Sequence, residues 1–175
     1  IAFRFDRTQN KFVTMWTSKT SAGVDHNPFA GLCEWTGPAI HDLDDDGKPE
    51  IIAEGFVYSS TGTLIDSSAN LRTSAQDVGQ FSVVADIDRD GIPNLIAPTV
   101  IYSWDKTAAK WKKDRDLPLP VGITLARGYV AVADFGVPSG ASIDRNISDG
   151  IAEIAVIMSG RAWIVSKDGA IVFGP

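Results

Sequence analysis

The sequence predicts an all-β fold, and within that class a β-propeller of four-stranded blades, on three observations. An acidic loop motif recurs along the chain. Each copy sits between short apolar runs, with period-two alternation visible in Ser82-Val83-Val84-Ala85-Asp86 and Tyr129-Val130-Ala131-Val132-Ala133, while helical spacing with caps is scarce. The leading aspartates Asp42, Asp86 and Asp134 are separated by 44 and 48 residues, which matches the length of one blade.

Each unit reads as an inner strand, an acidic loop, a second strand and a hairpin of two more. At the amino end, strands are predicted at about 2–5 and 11–16, and the run from Phe3 to Phe12 aligns without a gap on the run from Tyr102 to Trp111. Both read as aromatic hairpins. Residues 19–35, rich in Ser, Gly, Asn and Pro, read as a long connection. The first unit then runs through Ala39-Ile40, the loop, Ile51-Ile52 and a hairpin around Thr61 to Ile65. The second runs through Phe81 to Ala85, the loop, Leu95 to Ala97 and the Tyr102 hairpin, and the Pro-containing segment 117–120 is a stiff link. The third begins at Tyr129, resumes at Asp149 after an insertion, and ends in a hairpin around Asp168 to Val172.

These elements divide the chain into an outer half-blade at 1–18 and blades at 37–70, 79–118 and 128–175, about three and a half blades of a single partial propeller domain. Closed propellers usually have about four to eight blades, and exposed flanks of stacked repeats need capping. The ring is therefore expected to be completed by upstream sequence, by a complementary chain, or by a symmetry mate in a homo-oligomer.

The loops carry the chemistry. In the first, Asp42, Asp44 and Asp46 occupy positions one, three and five, Gly47 allows a turn that aims the Lys48 carbonyl inward, and Glu50 supplies a last oxygen. Oxygen donors at odd positions suit a large hard cation such as Ca²⁺. Position twelve is Ala53 rather than a bidentate glutamate, and a strand-like run follows, so the loop is not an EF-hand. The second copy places Asp86, Asp88 and Asp90 at positions one, three and five, Gly91 at six, the Ile92 carbonyl at seven and Asn94 at nine. With one charge fewer it is expected to bind more weakly. Read without metal, Asp-Asp-Gly and Arg-Asp-Gly are ordinary turn sequences, but recurrence between apolar strands favours the cation loop. The third copy offers Asp134, Asp149 and Glu153 around the insertion 135–148. Either Asp144 or Asn146 folds back to supply oxygen, or the insertion is an enlarged polar surface loop without metal.

Composition narrows the function. At 175 residues and 44% hydrophobic, the chain can bury a sizeable core as one domain or part of one. The net charge is −6, yet twelve of the 22 acidic residues lie in the three loops, so the acidity is local and bound cations would largely neutralise it. Nothing resembles the basic footprint of a nucleic-acid-binding protein, and no apolar run is long enough to span a bilayer. Cys33 stands alone and reads as a small buried hydrophobe. The chain begins at Ile1 rather than Met, so a removed signal or an upstream region is expected. Open loops of this kind suit extracellular calcium, which places the protein outside the cell or at its surface.

The loops, with the segment Asp-x-Asp-x-Asp-Gly-x-Pro-Glu at 42–50, resemble the FG-GAP repeat, also called the integrin-alpha or VCBS-type repeat, over about residues 37–175. The resemblance implies a propeller with calcium in hairpin loops at one rim; in integrins the opposite face engages protein ligands, and bacterial relatives occur in secreted proteins, carbohydrate-active enzymes and lectins. Several positions depart from the pattern. Val78-Gly79 and Arg127-Gly128 stand where Phe-Gly precedes the inner strands, only Gly37-Pro38-Ala39 matches the Gly-Ala-Pro element, Asn94 replaces an acid, and the third loop is interrupted.

The leading expectation is a non-catalytic, calcium-stabilised module for adhesion or recognition of a protein or glycan ligand. The alternative is a carbohydrate-binding module or a propeller fragment of a polysaccharide lyase. For that reading Trp16, Trp35, Trp104, Trp111 and Trp163 are the candidate sugar platforms, although all but Trp35 fall on predicted outer strands where packing explains them. His26 and His41 belong to no nucleophile or metalloprotease signature, and Arg127 or Lys167 would be the candidate bases of a lyase.

Overall fold

Alternating apolar residues, and turns in which glycines adopt positive φ, give a chain built of strands alone among the described residues. The computed structural model describes residues 1–28, 37–69, 71, 82–126, 128–139 and 142–175. Cys33, Glu34, Trp35, Val78, Gly79, Phe81 and Arg127 lie outside the described residues.

The amino-terminal hairpin pairs β1 (Ala2–Asp6) with β2 (Lys11–Trp16). Three four-stranded antiparallel sheets follow. The first joins β3 (Ala39–His41), β4 (Glu50–Ala53), β5 (Phe56–Tyr58) and β6 (Leu64–Asp66) in chain order. The second joins β7 (Val83–Ala85), β8 (Asn94–Ala97), β9 (Val100–Asp105) and β10 (Lys110–Asp116), again in chain order. The third has the order β11-β14-β15-β16, from β11 (Gly128–Ala133), β14 (Glu153–Met158), β15 (Arg161–Val165) and β16 (Ile171–Phe173).

The insertion in the third unit is more than a polar loop. It folds as a hairpin of β12 (Val137–Ser139) and β13 (Ser142–Asp144), with Pro138 opposite Ile143. Three-residue strands of mixed polarity are too short to show a period-two signal. Beyond the hairpin, the Arg145 guanidinium lies 5.5 Å from the centre of the Phe173 ring on β16.

The three sheets stack through two apolar layers. Ile52 and Val57 of the first sheet, with Leu43 from its loop, meet Leu95, Trp104 and Trp111 of the second. On the opposite face of the second sheet, Ile96 and Ile101 meet Ile154, Val156 and Trp163 of the third. Every residue of β8 is buried, because Leu95 points into one layer and Ile96 into the other. The first strands β3, β7 and β11 lie against one another in that order, which brings the acidic loops of successive sheets close together. Hydrogen bonds tie the outer strands as well: Trp111 N–H donates to Asp66 Oδ2 at 2.9 Å, and Arg115 Nη1 donates to the Lys167 carbonyl at 2.5 Å.

The ends of the stack differ from its middle. Ile40 on the first sheet, and Tyr129, Ile157 and Phe173 on the third, are exposed. The fold is all-β with its named strands paired antiparallel, and among the described residues none of its sheets closes into a barrel or a ring.

Candidate metal centres

The three loops share one hydrogen-bonding frame, set by side chains at positions one, five and nine. Position nine lies at the start of a central strand, so its side chain is drawn beneath the loop and buried: Glu50, Asn94 and Glu153 are 6%, 3% and 1% exposed. Each accepts the amide of position two. Leu43 N–H donates to Glu50 Oε2 at 2.9 Å, Ile87 N–H to Asn94 Oδ1 at 3.1 Å and Phe135 N–H to Glu153 Oε2 at 2.8 Å. Burial of a polar group is tolerated there because this bond satisfies it. The second Asn94 function, its amide NH₂, donates to Ser103 Oγ at 3.1 Å.

Position one accepts amides from across the turn. Asp42 Oδ1 and Oδ2 take the Asp46 and Gly47 N–H groups at 3.1 and 2.9 Å, and Asp86 takes those of Asp90 and Gly91 at the same distances. Position five then accepts the amide of position seven: Lys48 N–H to Asp46 Oδ1, Ile92 N–H to Asp90 Oδ1 and Ile151 N–H to Asp149 Oδ1. Gly47, Gly91 and Gly150 at position six have φ of +81°, +81° and +77°, a region open to glycine and costly for most other residues.

This frame gathers carboxylates in two of the loops. Asp42, Asp44 and Glu50 each offer an oxygen within 4.8 Å of the others, and so do Asp86, Asp88 and Asp90. The donors are oxygens only, the set suited to a hard cation. Negative charge is left in excess in both. The Glu50 carboxyl is raised above its ordinary value by burial, only partly offset by the Leu43 amide, and further raised by Asp44, Asp46 and Asp42. Asp88 is raised by burial and then by Asp90. A divalent cation would relieve this repulsion, so the residues present fit a metal ion in these two loops.

Asp46 departs from the arrangement expected of it. Its Oδ2 lies 3.0 Å from Lys48 Nζ, and the hydrogen bond from that ammonium holds its carboxyl below the ordinary value. Asp134, Asp149 and Glu153 keep the frame of the third loop but form no comparable acidic group among the described residues. Asp144 bonds locally, accepting the Asn146 amide at 2.9 Å.

Position four is the feature that sequence reading passed over. Asp45 and Arg89 occupy it with φ of +62° and +61°, and their side chains reach the next sheet. Asp45 pairs with Lys106 in the β9–β10 turn, and Arg89 lies over Gly150 in the third loop. The candidate donors fall at odd positions, so nothing local in the sequence marks position four as a bridge to the next sheet. Among the other candidates, His26 Nδ1 is 2.6 Å from the Tyr58 hydroxyl, Lys167 Nζ pairs with Asp168 at 2.9 Å, and Trp104, Trp111 and Trp163 are buried.

No family model matches the chain, and no curated protein matches it. Among solved structures the chain is similar to the V. cholerae biofilm matrix protein Bap1, with a TM-score of 0.40 and 15% identity over 77% of this chain and 27% of that one. The chain thus spans about a quarter of that structure's length.

Proposed function

We propose that the first two loops bind calcium as a structural ion, and that the chain is a non-catalytic recognition module of the FG-GAP type. In this reading the stacked sheets are blades of a propeller whose ring is completed outside residues 1–175, by further sequence or by another chain. One observation carries the calcium reading. Two loops 44 residues apart build the same amide frame, and each gathers three carboxylates whose oxygens lie within 4.8 Å of one another. The ion clamps a turn whose charges otherwise repel, and binding to the folded state alone adds stability. A ligand-binding role outside the cell follows by the resemblance of the loops and is a proposal on that basis. The sugar-binding alternative is weakened by the burial of Trp104, Trp111 and Trp163, which leaves those rings no free face for a glycan.

Native mass spectrometry in millimolar calcium tests the metal reading, with two ions expected per chain. Asp44→Ala should lose one of them and lower the Tm in calcium by about 2–4 °C, while leaving the Tm in chelator nearly unchanged. Unaltered stoichiometry and Tm in this variant would sink the proposal. Glycan-array and protein-binding screens with and without chelator then separate the two classes of ligand.

A further inference from the structure

We propose that the Arg89 guanidinium serves the third acidic loop as a tethered cation, in place of the metal ion taken by the first two. The inference rests on the calcium reading of those two loops. The third loop keeps the frame of the others: Glu153 accepts the Phe135 amide, Asp149 accepts the Ile151 amide, and Asp134 Oδ2 accepts the Gly150 amide at 2.7 Å. What it lacks is an acid at position three, where the chain departs into the β12–β13 hairpin, and Asp134 Oδ2 is further occupied by the Ser148 hydroxyl. The residues therefore do not fit an ion as they do in the first two loops.

The equivalent glycines show what takes its place. A β-carbon built on Gly47 or Gly91 would meet nothing within 4 Å. On Gly150 it would lie 2.8 Å from Arg89 Nη1 and 2.9 Å from Nη2. The same turn is open in two loops and covered by a guanidinium in the third. Arg89 reaches it from position four of the second loop, where its left-handed backbone turns the side chain toward the third sheet. The charge bears on the loop it covers. Asp134 is held below its ordinary value by the Ser148 hydrogen bond first, against the effect of burial, with the Gly150 and Gly136 amides and then Arg89 adding to the lowering; Glu153 beneath the loop is raised by burial, as Glu50 is beneath the first.

Amide hydrogen exchange by NMR, with bound calcium counted in parallel, tests this. In the parent protein, chelation should speed exchange at Gly47 and Gly91 and leave Phe135 and Gly150 unchanged. Arg89→Gln should speed Phe135 and Gly150 roughly threefold, the modest effect of an exposed charge pair, with Arg89→Lys in between and two ions still bound. A second measurement needs no variant: about 0.5 M NaCl should speed the same two amides in the parent by screening the guanidinium. A third bound ion, loss of Phe135 and Gly150 protection on chelation, or indifference of both amides to Arg89→Gln and to salt would overturn the inference. A failure of Gly47 and Gly91 to respond to calcium would instead overturn the reading of the first two loops, and the two results are read from separate residues.

Discussion

The β1–β2 and β9–β10 hairpins share a register, a turn and an aromatic pair, yet one stands at the edge of the molecule and the other between two sheets. Phe5 opposes Phe12 and Trp104 opposes Trp111. Both pairs are edge-to-face at an interplanar angle of 69°, with centroids 5.4 and 5.0 Å apart. Each turn is held by an aspartate: Asp6 Oδ1 accepts the Thr8 and Gln9 amides, and Asp105 Oδ1 accepts those of Thr107 and Ala108. Exposure separates them, at 48% and 70% for Phe5 and Phe12 against 4% and 2% for Trp104 and Trp111. Hairpin geometry is thus written in about ten local residues, whereas burial depends on which sheet is stacked alongside. The tryptophan pair shares its core layer with Ile52 and Val57 of the first sheet and with Leu43 from that sheet's loop.

The largest difference should appear on truncation of the aromatic rings. Trp104→Ala removes a buried ring from the layer between two sheets and should cost about 3 kcal/mol, the low end for such a change, because its indole N–H is buried without a partner and its loss relieves a penalty. Phe5→Ala should cost under about 1 kcal/mol, little more than the edge-to-face contact itself. Urea unfolding of the two variants measures both. A large loss for Phe5→Ala that grows with protein concentration would break the comparison, since it would show the amino-terminal hairpin buried against another chain.

Next in size are the turn aspartates, for which the two surroundings should make no difference. Asp6→Ala and Asp105→Ala each remove an acceptor of two backbone amides, and each should cost about 1 kcal/mol. Equal losses in urea unfolding would confirm that the turn is local. A loss at Asp105 several times that at Asp6 would show that the stacked sheet contributes to the turn as well.

The same division explains what could be read from the sequence. The strands, their order within each unit and the first two loops were legible, because period-two runs and spaced aspartates are local signals. Glu50 was legible as an acid of the first loop, but its bond to the Leu43 amide beneath that loop was not, since it needs the strand to follow in register. Arg89 carries no local mark of its contact with the third loop. That contact depends on the third loop, 61 residues on at Gly150, being carried beside the second by the stacking of β7 and β11. The β12–β13 hairpin escaped for the opposite reason, having strands too short for any periodic signal. Phe5 and Trp104 illustrate the limit, since two aligned residues in identical hairpins carry no local mark of their different burial.

The smallest expected effect turns the comparison into a repair. After each turn aspartate the chain passes through a residue with positive φ, +50° at Asn10 and +48° at Ala109. Asparagine tolerates this left-handed region because its short polar side chain bonds locally, while the alanine β-carbon crowds the neighbouring carbonyl. The exposed hairpin therefore carries the better residue, and the buried one carries strain at a solvent-facing turn. Ala109→Asn should stabilise the protein by about 0.5 kcal/mol, and Ala109→Gly by less because the unfolded chain also gains freedom. A small upward shift of the urea midpoint at unchanged slope would be the expected reading. Destabilisation by Asn would mean that the second turn departs from the first in a way that its register, hydrogen bonds and φ do not reveal.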